Sequence, residues 1–147
     1  MRTQTVILII TALLAACSSP PEAALPTPAE QELDICEAVF RHQFEHNASG
    51  AQQEAAAYFL EIRKGDPSPE FLARFAAHQP PVFAGSKFEI GKGLSFQVDS
   101  IEWQEDGSVK VTGGYYEAGL SSSGSVYTLE PDGESWEVTD DVMEWIS

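Results

Sequence analysis

Positive charge is scarce in this chain: eight Lys and Arg stand against 23 Asp and Glu in 147 residues, for a formal net charge of −15. Nucleic acid, which is held mainly through phosphate contacts to Lys and Arg, is thereby excluded as an expected partner. The imbalance sharpens toward the C-terminus, where twelve acids from Asp99 onward face Lys110 as their one basic residue. Such a field repels anionic headgroups and keeps the protein soluble, or else it receives a cation or a basic partner.

Cysteine is equally sparse. Cys17 and Cys36 are the whole complement, so a disulfide framework is not expected to organise the fold. Long apolar runs are missing too. The longest, Val6 to Ala16, falls short of the roughly 17 to 25 residues a membrane-crossing helix needs, and Ser18, Ser19, Pro20, Pro21 and Glu22 end it. There is no internal repeat, no G-x-S-x-G elbow and no glycine-rich phosphate loop ahead of a helix.

What is present at the N-terminus has the anatomy of an export signal: Arg2, then the apolar core, then Ala15-Ala16 before Cys17. Leu14-Ala15-Ala16-Cys17 is similar at every position to the lipobox of bacterial lipoproteins. That resemblance implies cleavage before Cys17, a diacylglycerol on its sulfur and acylation of the new amino group. Two or three acyl chains anchor stably where one is marginal. In that family an Asp after the cysteine holds the protein in the inner membrane, and Ser18 stands there instead. The resemblance therefore implies the periplasmic face of the outer membrane, with the inner membrane and the cell surface as other destinations. The alternative is an ordinary secretory signal with Cys17 as an incidental thiol.

Three segments follow from this reading: a signal peptide over 1–16, a flexible tether over 17–31 rich in Ser, Pro, Ala and Thr, and a single domain over 32–147. A domain of that size buries a core without metal or disulfide support.

Within the domain, helical periodicity comes first. Asp34 to Asn47 reads as an amphipathic helix with Cys36, Val39, Phe40, Gln43, Phe44 and Asn47 on one arc. Ser49 and Gln52 match a capping box for a second helix over about Gly50 to Arg63, and Ser68-Pro69-Glu70 opens a third before Pro80-Pro81. Past the prolines the period changes to two. Short strands are expected at Val82-Phe83 and Phe88 to Ile90, then Leu94 to Trp103 with a phase slip suggesting a bulge at Asp99-Ser100. Ser108 to Glu117, Ser125 to Glu130 and Ser135 to Thr139 complete the set, with Ser121 to Gly124 as a loop and Pro131-Asp132-Gly133 as a turn. The tail, bearing Val142, Trp145 and Ile146, is expected to pack on the body.

Helices first and strands after indicate an α+β fold, with N-terminal helices on a curved antiparallel sheet of four or more strands. This order, with Gly113-Gly114-Tyr115-Tyr116 and Trp136-Glu137-Val138, is similar to the cone-shaped nuclear-transport-factor-2-like and cystatin-like group. That resemblance implies a small-molecule pocket, an isomerase or hydrolase site, or a surface for protein contacts, and the fold alone does not choose among them.

Candidate chemistry is thin. His42-Gln43-Phe44-Glu45-His46 places two imidazoles one turn apart with Glu45 as a base, and resembles the inverted zinc-peptidase motif. No third ligand is evident, and histidines covering the rim of the core explain the pattern as well. A cone-shaped enzyme would need a pocket acid, for which Asp99 and Glu117 are the candidates, alongside the aromatic residues Trp103, Tyr115 and Tyr116. Alternation sends Tyr115 and Tyr116 to opposite faces. The expectation from sequence is a lipid-anchored periplasmic domain that binds a small molecule or a periplasmic protein, without a cofactor or a catalytic role.

Overall fold

The computed structural model describes residues 27–51, 54–119 and 121–147. The signal, Cys17, the first part of the tether and Gln52 lie outside the described residues. A helix, α1, spans Pro28–Glu45, and a one-turn helix, α2, spans Pro69–Ala73. Six strands follow in chain order around them: β1 Tyr58–Ile62, β2 Val82–Ala84, β3 Leu94–Trp103, β4 Val109–Ala118, β5 Ser121–Asp132 and β6 Ser135–Ile146. They form one sheet in the order β2-β1-β3-β4-β5-β6. The architecture is α+β, with α1 packed on a six-stranded mixed sheet.

Local chemistry sets the start of α1. Thr27 Oγ1 accepts from the Glu30 amide at 3.3 Å while Glu30 accepts from the Thr27 amide at 2.8 Å, and Pro28 occupies the first turn, where its missing N–H costs nothing. The helix thus begins inside the stretch expected to be tether. Asn47 closes the other end by donating from Nδ2 to the Gln43 carbonyl at 2.8 Å.

The face that α1 buries carries Ile35, Cys36, Val39, Phe40, Gln43 and Phe44. Opposite it stand Leu94, Phe96 and Val98 of β3, Val109, Val111 and Tyr115 of β4, and Tyr127 and Leu129 of β5. Phe71 and Phe75 seal one side, meeting Phe40 edge-on with ring centroids at 6.1 and 6.4 Å. Each such aromatic, fully buried, contributes roughly 1.5 to 3 kcal/mol.

Several expectations are corrected. The second helix does not form, because residues 58–62 are strand β1, paired in parallel with both β2 and β3. The sheet is therefore mixed, and only β3 to β6 form an antiparallel meander. Phe88 to Ile90 is not a strand; a 3-10 turn at Gly85–Lys87 precedes it and lays Phe88 edge-on to Phe59, at 5.5 Å. Ser121 to Gly124 belongs to β5, and the hairpin turn shifts to Gly133-Glu134. The bulge falls where it was expected, between Val98 and Ser100. Two more interrupt the β5–β6 pairing, beside Gly124-Ser125 and Thr128-Leu129.

The tail does join the body, but as the second half of β6 and without burying its side chains. Val142, Met143, Trp145 and Ile146 are between 48% and 58% exposed. Among the described residues no helix is long and apolar enough to cross a membrane.

Candidate functional site

Gln43 sits in the middle of the apolar face of α1 and is 1% exposed. A polar side chain so placed must find partners, since a buried unpaired amide is costly. Gly113 makes room for it, because a Cβ at that position would meet both Gln97 O and Gln43 Nε2. Gln43 Nε2 faces three acceptors: Gln97 O at 3.2 Å, Gly114 O at 3.4 Å and Tyr127 Oη at 3.2 Å. The helix is thereby fastened to β3, β4 and β5 at the point where β3 bulges. Gln43 Oε1 has no partner among the described residues.

Beside this amide lies a cavity of about 20 Å³, bordered by His46, Asn47, Ser123, Ser125, Tyr127 and Asp141. That is room for about one water, against the several hundred Å³ of a small-molecule pocket. The space between α1 and the sheet is filled by Phe40, Phe44, Phe96, Tyr115 and their neighbours.

The histidine pattern resolves into two separate contacts. His42 Nε2 lies 3.0 Å from Asp141 Oδ2 of β6, while the His46 ring stacks on it at 4.5 Å and directs Nδ1 to the His42 carbonyl, at 3.2 Å. Glu45 is exposed beside them. Among the described residues, no three His, Cys, Asp or Glu side chains are grouped to hold a metal ion. The partner of His42 is an acid 99 positions away, a pairing that helical spacing cannot reveal.

The residues expected to line a pocket are not brought together. Tyr115 is buried on the helix side of β4, whereas Tyr116 lies on the far side, edge-on to Phe88 at 5.7 Å. Trp103 is at the other end of the sheet, largely exposed and edge-on to Trp136 at 5.5 Å. Asp99 occupies the bulge and faces solvent. Glu117 is occupied as a structural acceptor: Ser49 Oγ and Ser121 Oγ both donate to its Oε2, at 2.7 and 2.8 Å. The pair ties the loop after α1 to the β4–β5 hairpin.

Cys36 is buried in the core, and desolvation pushes its thiol up to about 12, with the Arg63 and Arg74 charges opposing only weakly. A thiol held neutral in this way is a small apolar side chain and not a nucleophile.

On the outside, charge separates into two regions. Three acids of α1 are matched by arginines: Asp34 and Glu37 by Arg74, at 2.6 and 3.0 Å, Glu37 also by Arg41, at 2.7 Å, and Glu32 by Arg63, at 3.0 Å. A shallow groove of about 360 Å³ runs between this cluster and Trp136. The β5–β6 half has no such compensation. Glu130, Asp132, Glu134, Glu137, Asp140, Asp141 and Glu144 lie on these two strands and their turn, and no Lys or Arg follows Lys110 in the sequence. Comparison with family models, with curated proteins and with solved structures finds no match to this chain.

Proposed function

We propose that this protein is a lipid-anchored lipoprotein of the periplasm, attached through acyl chains on Cys17, whose body is a non-catalytic interaction domain. The anchoring half of the reading rests on Leu14-Ala15-Ala16-Cys17 and the apolar run before it. The observation that carries the other half is the filled interior: about 20 Å³ beside Gln43 accommodates no substrate, and the one carboxylate bordering it, Asp141, is paired with His42. Function on such a body belongs to its surface.

We further read the fold as a member of the cone-shaped nuclear-transport-factor-2-like and cystatin-like group. The order of a long helix before a four-strand meander, and the bulges that bend β3 and β6, support that reading. The net charge disfavours nucleic acid and favours a basic or neutral protein partner. The outer membrane, on its periplasmic face, is the proposed location.

Fractionation tests the anchor. The wild-type protein should sediment with membranes and carry an N-terminal mass increment of two or three acyl chains, and Cys17→Ser should move it to the soluble fraction. Unchanged fractionation of Cys17→Ser would overturn the reading.

A further inference from the structure

Among the described residues the exposed large apolar side chains concentrate in one place: Phe83, Ile90 and Trp103 stand apart, whereas Val142, Met143, Trp145 and Ile146 fall in the last five residues of β6. The stretch from Thr139 to Ile146 is exposed throughout, with the Asp141 side chain alone turned in against His42. β6 is twelve residues long and lies at one end of the strand order, so one of its two edges has no neighbouring strand. A long edge with apolar residues is a template for another chain, and proteins that keep such an edge unused shorten it, cover it, bulge it or seed it with charge. Among the described residues β6 is neither short nor covered; what it carries is two bulges in its pairing with β5 and acids alone, at Glu137, Asp140, Asp141 and Glu144, which guard it against acidic strands and not against basic ones.

Its backbone is oriented for pairing. Ser122 and Ser147 exchange both main-chain hydrogen bonds, at 3.1 and 2.9 Å. In an antiparallel ladder such pairs alternate, so the adjacent Ile146 directs its N–H and C=O away from β5, toward the open side. Side chains alternate as well. Register with β5 places Val142 and Trp145 on the face away from α1, and Met143 and Ile146 on the same side as Asp141.

Charge decides the occupant. The strand carries Glu137, Asp140, Asp141 and Glu144 with no basic residue, so a second copy pairing β6 against β6 sets acid against acid. An anionic bilayer surface meets the same repulsion. A strand bearing Lys or Arg between apolar residues meets acids at the matching positions, and finds the half-exposed indole of Trp145 as a cation–π platform.

We propose that the free edge of β6 is a strand-addition site for an extended basic segment of a partner protein. This rests on reading the domain as an interaction module and names the class of partner that module takes. The added strand gains main-chain hydrogen bonds from Ile146 and the other residues of β6 whose N–H and C=O turn away from β5, apolar contact with Val142 and Trp145, and charge pairing with Asp140 and Glu144.

The test uses the full-length protein in detergent and a capped ten-residue peptide of alternating Lys and Val. Binding should protect the amides of residues 139–146 from hydrogen exchange. The peptide N-methylated at alternate residues, or with Glu replacing Lys, should bind at least about tenfold more weakly. The double variant Asp140→Lys, Glu144→Lys should reverse the preference between the Lys and Glu peptides, with an unchanged far-ultraviolet spectrum showing that it is folded. Equal binding of the N-methylated peptide, protection located off β6, or no reversal in the charge-swapped variant overturns the proposal. So does protection of the same amides by vesicles of anionic lipid, or by self-association without peptide. None of these outcomes bears on lipid attachment at Cys17, which stands or falls on fractionation.

Discussion

The indole of Trp145 lies across Gly124, its Nε1 and Cε2 occupying the place a Cβ at residue 124 would take. The two residues face each other directly in the β5–β6 register. An aromatic ring shielding a strand glycine is a recognised means of holding an edge strand in register. It also leaves the other side of that ring open to solvent.

Gly124→Ala should therefore push the indole off the sheet. The expected loss is about 1 to 3 kcal/mol, the usual result of inserting a methyl group where none fits. Thermal unfolding and the tryptophan emission spectrum report on it together, and a variant with both unchanged would show that the ring does not rest there.

Gln43 makes a different prediction. Replacement by Met keeps the volume and removes the donor, leaving Gln97 O and Gly114 O without the amide that serves them. The expected cost is about 1 to 3 kcal/mol in urea unfolding, since buried acceptors then lose their partner. A Met variant as stable as the wild type would mean that the amide contributes shape and no bonding.

Alkaline pH should weaken the fold through Cys36. Its ordinary value is 9.0, and burial raises it to about 12 in the folded protein. Between those two values the unfolded chain releases the proton while the folded chain retains it, so stability falls as pH rises through that window. Tyr127, raised mainly by burial, acts in the same direction at higher pH. Urea midpoints measured from pH 8 to 11 should decline, and Cys36→Ala should flatten the decline. Iodoacetamide should label Cys36 only as fast as the protein unfolds.

His42 and Asp141 join α1 to β6 with side chains 19% and 25% exposed. Their coupling in a double-mutant cycle should stay within about 1 kcal/mol, as for other partly solvated pairs. The clearer readout is local: His42→Ala should speed amide exchange in β6 more than in β3.

Much of the meander could be read from alternation, since Leu94, Phe96 and Val98 of β3 and Val109, Val111 and Tyr115 of β4 turn to the core at every second position. Phase slip even located the bulge at Asp99. Two of the failures, at β1 and at the start of β5, share a cause, which is burial on both faces. In β1, Tyr58 and Leu60 turn to the core while Phe59 is covered by Phe83 and Phe88, so its period-two signal vanishes and a helical spacing can be drawn through it. Ser121 to Gly124 looked like a loop by composition, yet Ser123 and Ser125 are buried and Gly124 is shielded by Trp145. Thr27-Pro28-Ala29-Glu30 is a legible capping box that lay hidden in a stretch read as tether for its prolines. At the candidate site, Gln43 was visible on the apolar arc of α1, but its partners and the His42–Asp141 contact depend on strands far along the chain.

The position of α1 ahead of every strand it covers has a temporal consequence. Consecutive hairpins join β3 to β6, so those contacts close over short distances along the chain, whereas Phe40 and Phe44 meet Tyr58, Phe71 and Phe75 first and are fully covered only when β3 brings Phe96 and the later strands follow. A polypeptide emerging N-terminus first displays the greasy side of its helix until the final strands arrive. Synthesis thus creates an interval of vulnerability to aggregation that the finished protein no longer carries.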